Sequence, residues 1–151
     1  MNSPTPSNDA VLLLDNQLCF ALYSASLAMT KVYKPLLADL GVTYPQYLVL
    51  LVLWERDALV VSDIGDRLGL DSGTLTPLLK RLEGLGLLGR ERDPEDERRV
   101  RITLTPDGHA LKARARQIPA CLMAASRCSV SDLAALTHQI KGLRQRLTET
   151  P

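Results

Sequence analysis

The strongest constraint on this chain lies between residues 62 and 108. Two short leucine-bearing segments are separated there by Gly69-Leu70-Asp71-Ser72-Gly73, and two strand-like runs follow around Asp93-Pro94-Glu95-Asp96. Ser62, Asp63, Ile64 and Leu68 read as a capped helix of about two turns ended by Gly69. Asp71 or Ser72 caps the next helix, whose apolar face carries Leu75, Leu78, Leu79 and Leu82, and Gly84 and Gly86 end it. Two short helices joined by a tight glycine-containing turn make a helix-turn-helix. Pro77 has two solutions: the helix begins near Thr74, so that the ring falls in its first turn, or the helix bends. Leu87 to Arg92 and Arg99 to Leu104 then form a hairpin, because the Asp-Pro-Glu-Asp run between them is strong turn chemistry. A hairpin directly after a helix-turn-helix is a wing.

The flanks are helical. Leu14, Leu18, Leu22, Ala25, Met29, Val32, Leu36 and Leu40 step by four and three, predicting a long helix with Asp15 in its first turn. Pro35 predicts a kink or an end near Lys34, and Gly41 closes the segment. Thr43 as cap and Pro45 in the first turn introduce an enclosed helix through Trp54. Leu59-Val60-Val61 favours a short strand. Thr105-Pro106 starts a helix running through Leu111 toward Pro119, and a further segment continues beyond that proline. Leu133, Leu136, Ile140, Leu143 and Leu147 form a seam for another helix, suited to a core or a dimer. The fold class is mainly α with a small β-hairpin wing. Residues 1–10 read as a flexible tail and residues 11–148 as a single domain. Within it, 11–41 and 109–148 are the dimerisation helices and 43–108 the winged helix-turn-helix.

Several classes of function drop out. The longest apolar run, Tyr47 to Trp54, falls far short of the roughly 20 residues that cross a bilayer, so no membrane role is expected. Met1 to Asn8 lacks a basic start and an apolar signal core, which points to the cytoplasm. Three scattered cysteines make no disulfide framework, and with His109 and His138 they supply no paired metal ligands. No metal or cofactor is expected. Residues 62–101 hold eight basic and nine acidic side chains, so any contact with nucleic acid must be made by a local patch.

A winged helix-turn-helix lays its second helix in the major groove of double-stranded DNA and its wing near the minor groove or backbone. Ser72, Thr74, Thr76, Lys80 and Arg81 are the polar side chains offered by that helix, suited to base edges and phosphates. The wing offers Arg90, Arg92, Arg98, Arg99 and Arg101, and an arginine at its tip can enter a narrow minor groove. The competing reading is a solvated, charge-balanced hairpin on a protein-interaction module. On the first helix, Cys19, Tyr23, Ser26, Thr30 and Tyr33 step by four and three and form a partly polar stripe. Peroxide chemistry needs the thiolate, and phenolic donors on such a stripe can stabilise it, although Asp15 opposes it. Tyr33 stands about 21 Å from Cys19 along a straight helix, so it could serve that sulfur only from an antiparallel partner. On spacing alone the better reading of Cys19 is a small packing residue.

The run Asp71-Ser72-Gly73-Thr74-Leu75-Thr76-Pro77, with Asp96-Glu97-Arg98 and Leu104-Thr105-Pro106-Asp107-Gly108, resembles the MarR family of dimeric winged-helix regulators. Asp96 and Arg98 match its wing motif, and Leu14 to Ser24, around Cys19, resembles the organic hydroperoxide resistance branch of that family. The likeness covers about residues 12–148. It implies a homodimeric repressor on a pseudo-palindromic operator, not an enzyme, whose Cys19 is oxidised by organic hydroperoxides so that the DNA is released. It also implies that Tyr33 and Tyr44 of one subunit meet the sulfur of the other. A sulfenic acid condenses with a nearby thiol, and Cys121 and Cys128 are both candidates. If one helix carried both, seven residues would return them to nearly one face. The resemblance puts the resolving position near Ala124, between them; Cys128 abuts the cap-like Ser129, which favours Cys121. The alternatives are a MarR-type regulator released by a small apolar or phenolic ligand, and a thiol peroxidase.

Overall fold

The computed structural model describes residues 9–149, so the expected tail falls outside it through residue 8. The chain divides into two compact units, one through Tyr44 and one from Pro45.

The first unit opens with two single-turn 3-10 helices, Ala10–Leu12 and Leu14–Asn16, ahead of α1, Leu18–Leu40. The long helix therefore starts four residues later than its leucine spacing predicts. The cause is local: Asn16 Nδ2 donates to the Ala10 carbonyl at 2.8 Å, and Gln17 Nε2 donates to Val11 and Leu13 at 2.7 and 2.8 Å. Side-chain amides thus satisfy carbonyls that a helix would otherwise use. Pro35 does not end α1, which continues to Leu40 with Leu37 and Leu40 buried beyond the ring. Gly41, at φ +74°, stops it: its N–H returns to Ala38 and that of Val42 to Leu37, the double closure of a Schellman turn.

The second unit contains most of α2, Tyr44–Glu55, in which Gln46, Tyr47, Val49, Leu50, Val52 and Leu53 are buried. Then come β1 (Leu59–Val60), α3 (Val61–Leu68), α4 (Ser72–Gly84), β2 (Leu88–Arg92) and β3 (Val100–Leu104). The last three elements are α5 (Pro106–Ala115), α6 (Ile118–Ser126) and α7 (Val130–Thr148). The sheet is antiparallel in the order β1-β3-β2, with Leu59 opposite Ile102, Arg90 opposite Ile102 and Arg92 opposite Val100. The short β-favouring piece thus becomes the outer strand of a three-stranded wing base. In β3 Ile102 and Leu104 are buried while Thr103 between them is exposed, the period-two alternation of a half-covered strand. Leu75, Leu79 and Leu82 put one face of α4 into the same core as Ile64, Leu88 and Ile102.

Some boundaries moved. Val60, not Ser62, precedes α3, and no side chain caps it. Asp71 is the cap of α4, so that helix starts before Thr74 and Pro77 lies inside it. Thr105 caps α5 as expected, through the Gly108 N–H at 3.1 Å, but α5 ends at Ala115 and Pro119 opens α6. Arg127 at φ +56° ends α6, so Cys121 and Cys128 do not share a helix face. In the single chain α7 buries no residue, and its Leu136, Ile140 and Leu147 are exposed.

Ile102 is fully buried at the centre of the sheet. Ile102→Ala should lower unfolding stability by about 2–5 kcal/mol, read from the denaturant midpoint at unchanged slope.

Candidate nucleic-acid interface and thiol site

The first cluster lies wholly in the second unit. Asp71 Oδ1 accepts the Thr74 N–H at 2.8 Å and fixes the start of α4. Hydrogen bonds from Thr74 hold the Asp71 carboxyl below its usual value of 3.8. Ser72, Thr74, Lys80 and Arg81 are exposed on the outer face of α4 and Thr76 is half-buried. A groove of about 480 Å³ runs between α4 and the wing; Ser72, Thr76, Arg98 and Arg99 all line it. The structure thus brings five of the expected residues, these four and Arg90, to one concavity, while Thr74, Lys80 and Arg81 lie outside its lining.

The wing tip is held by its own acids. Asp93 N–H donates to the Arg99 carbonyl at 2.8 Å, and Arg99 N–H to the Asp96 carbonyl at 2.9 Å. Asp96 Oδ1 accepts the Arg98 N–H at 3.1 Å and Arg98 Nε at 3.3 Å. Asp96 therefore orients Arg98, whose side chain is 92% exposed, instead of offering a negative charge outward. Two of the wing arginines are committed elsewhere. Arg90 pairs with Glu83 at 3.1 Å, and Arg101 donates to the Ala58 carbonyl at 2.7 Å and to buried Asp93 at 3.3 Å.

Sequence reasoning missed this brace and a second one beneath it. Asp57 Oδ1 accepts the N–H groups of Ala58 and Leu104 at 2.7 and 2.9 Å, and its other oxygen lies 3.2 Å from His109 Nε2. The Asp93-Pro94 turn could have suggested that Asp93 caps its own loop, as it does through the Glu95 N–H at 3.0 Å. Nothing in the spacing ties it to Arg101.

The thiol residues are distributed differently. Cys19 is the second residue of α1, exposed, and Asp15 sits in the 3-10 turn before the helix. Tyr23 follows one turn later, 61% exposed. Tyr33 and Tyr44 come together, ring centroids 5.0 Å apart at 47°, at the far end of the same unit. Fourteen helical residues separate Cys19 from Tyr33, about 21 Å. Cys121 is exposed on α6. Cys128 is half-buried just past Arg127, its N–H 3.3 Å from Ser126 Oγ and its Sγ 3.5 Å from the Ser126 carbonyl. Among the described residues no group of three or more His, Cys, Asp or Glu could hold a metal ion. Among the described residues no single helix is long and apolar enough to cross a membrane.

A capped helix beside a three-stranded wing, its arginine-bearing tip turned to the same groove, is the architecture of winged-helix transcriptional regulators. The family model described as transcriptional regulator SarA/Rot matches residues 31–115. The chain is 53% identical over 137 residues to the organic hydroperoxide resistance transcriptional regulator of Bacillus subtilis (strain 168), covering 91% of this chain and 90% of that one. AbfR of Staphylococcus epidermidis superposes with a TM-score of 0.76 at 36% identity, over 94% of this chain and 98% of its own. AbfR has also been solved reduced and bound to DNA, with TM-score 0.70 and 39% identity over 91% and 96% of the two chains. A disulfide-formed structure of it gives 0.62 and 38% over 93% of each. PcaV of Streptomyces coelicolor, in complex with its natural ligand, gives 0.80 at 25% identity, over 88% and 95%. The chain belongs to the MarR-type winged-helix regulators, in their organic hydroperoxide resistance branch.

The Asp71 cap has a pH signature. Because its carboxyl titrates below the ordinary value in the folded chain, its stabilisation is fully present above about pH 4 and is lost as pH falls through the lower folded value. Asp71→Asn, which caps without titrating, should flatten the acid limb of the melting temperature below about pH 4, and Asp71→Ala should lower the melting temperature at neutral pH.

Proposed function

We propose that the chain is a homodimeric, DNA-binding transcriptional repressor that senses organic hydroperoxides through Cys19 and releases a pseudo-palindromic operator when that thiol is oxidised. On this reading the regulated gene encodes an organic hydroperoxide reductase, and the protein acts in the cytoplasm, where its operator lies. The observation that carries it is the exposure of Cys19 at the start of α1, on a polar stripe with Tyr23, in a chain 53% identical to an organic hydroperoxide resistance regulator. The first turn of a helix suits the thiolate, because its N–H groups lack intrahelical partners and favour negative charge.

The thiolate attacks the peroxide oxygen, the O–O bond breaks and an alcohol leaves, so the sulfur becomes a sulfenic acid. A second thiol, Cys121 or Cys128 or a small-molecule thiol, then displaces water and forms the disulfide. The protein is oxidised once per event and does not turn over. Tyr33 and Tyr44, already paired ring to ring, complete the site from the partner subunit. Residues 11–41 and 109–148, which hold α1, the rest of α5 after its first turn, α6 and α7, supply the dimer, and the exposed Leu136, Ile140 and Leu147 support that assignment. The winged part, residues 43–108, grips DNA: Ser72, Thr74, Thr76, Lys80 and Arg81 from α4, Arg98 and Arg99 from the wing, with Asp96 aligning Arg98. Rearrangement of α1 on oxidation then changes the separation of the two α4 helices, and half-sites one helical turn apart no longer fit. The likeness to PcaV in complex with its natural ligand favours a second reading, release by a small apolar or phenolic ligand with Cys19 as packing.

The test is a gel shift on the DNA upstream of its own gene with protein that is reduced, treated with cumene hydroperoxide, and re-reduced with a dithiol. Oxidation should weaken binding by about 10- to 100-fold, within the usual range of coupling between sites, and re-reduction should restore it. Cys19→Ser should bind in all three states. Arg98→Ala should bind about tenfold more weakly in both redox states. If mass spectrometry finds Cys19 still reduced in protein that has let go of DNA, the thiol mechanism fails and the ligand reading takes its place.

A further inference from the structure

Gly69 ends α3 at φ +67°, a left-handed conformation that suits glycine, and its N–H returns to the Gly65 carbonyl. The missing side chain matters a second time. A Cβ at position 69 would stand 2.6 Å from Arg144 Nη2 and 3.7 Å from Arg144 Cζ, so the guanidinium of a residue on α7 occupies the space that glycine leaves open. The setting suits a cation: a helix C-terminus carries partial negative charge on its unsatisfied carbonyls. The basic residue in the last turn of α3, Arg67, is already committed to Glu55 at 2.8 Å. α7 buries no residue of its own.

Position 69 is also two residues before Asp71, the cap that fixes where α4 begins. The guanidinium thus lies against the turn between α3 and α4, reaching it from the helix that carries the apolar seam Leu136, Ile140 and Leu147. We propose that Arg144 is a positioning residue that transmits the geometry of the C-terminal helix to the helix-turn-helix, and so sets the separation of the two α4 helices in the dimer. This rests on the dimeric DNA-binding reading above. It adds a role for a residue that touches neither the DNA nor the reactive thiol. Without the fork, α4 keeps its core packing through Leu75, Leu79 and Leu82 but loses the link that ties its direction to the dimer seam.

The experiment compares full-length wild type, Arg144→Ala and Arg144→Lys, all reduced. Affinity is measured by fluorescence anisotropy on the site footprinted upstream of its own gene, and on the same DNA with one base pair added or removed between half-sites. Because Arg144 is exposed, each variant should melt close to wild type. Wild type should lose about tenfold or more on the altered spacings. Arg144→Ala should bind the native spacing about five- to tenfold more weakly and discriminate among spacings by less than about threefold, with an unchanged slope of log affinity on log salt. Arg144→Lys, which keeps the charge at the helix end without the fork, should fall between the two. Wild-type spacing discrimination in Arg144→Ala would overturn the proposal, as would a salt slope lowered by about one, since that marks a phosphate contact. Failure of wild type itself to bind the site would strike the DNA-binding reading instead.

Discussion

The burial of Leu75, Leu79 and Leu82 against Ile64, Leu88 and Ile102 is the interaction on which the other features depend. These side chains lie at i, i+4 and i+7 on α4, and together they leave essentially no surface in water. Each such residue stabilises the fold by about 1.5–3 kcal/mol when fully buried, which is enough to hold Pro77 inside a helix. The same packing decides which face of α4 looks outward. Once the leucines point in, Ser72 and Thr76 must open on the groove that Arg98 and Arg99 also line. A one-residue shift in the register of α4 or β3 would turn these polar groups away from each other.

Eight basic and nine acidic side chains between residues 62 and 101 look unsuited to a polyanion, but four of the nine acids are held by partners within the motif. Asp71 is spent on the Thr74 N–H, Asp93 on Glu95 N–H and Arg101, Asp96 on Arg98, and Glu83 on Arg90. These acids are partnered inside the motif and serve to hold it in shape. Lys80, Arg81, Arg98 and Arg99 stand exposed on the outer side. Screening in water limits what any exposed pair contributes, so the value of these acids lies in geometry. A wing tip whose backbone is already tied needs little ordering when it meets a groove, and ordering costs are what most reduce affinity.

The parts legible in the sequence were those governed by local chemistry. Asp71 and Thr105 cap helices as their types suggest, Gly41 and Gly69 end helices, and the wing strands fall within one residue of their expected limits. The leucine stripe named Leu75, Leu79 and Leu82 as the core of α4, because periodicity and burial share a cause, while Leu78 of the same stripe is only half-buried. What escaped was set by long-range or competing contacts. The start of α1 was misplaced because the leucine spacing continues through Leu14, while Asn16 and Gln17 take over the backbone locally. Arg101 looked like a DNA contact because its neighbours do, and only the fold places it between Asp93 and Ala58. The shared face of Cys121 and Cys128 failed at Arg127, a residue type that rarely adopts a positive φ and so gives no warning.

That break bears on the thiol chemistry. On the proposed reading a sulfenic acid at Cys19 condenses with a second thiol, and the two candidates differ in how they are held. Cys128 follows the left-handed Arg127 and is tied to Ser126 through both its N–H and its Sγ, with Ser129 capping α7 directly after it. Moving it outward means undoing the turn that joins α6 to α7. Cys121 lies in the body of α6, exposed, with no side-chain bond among those described. A helix can shift or fray a turn at small cost, whereas a capped junction resists because several hydrogen bonds must break together. The physical asymmetry therefore favours Cys121 as the resolving thiol. On that proposed reading Cys121 is the sulfur open to the chemistry, while Cys128 lies in the turn that joins α6 to α7.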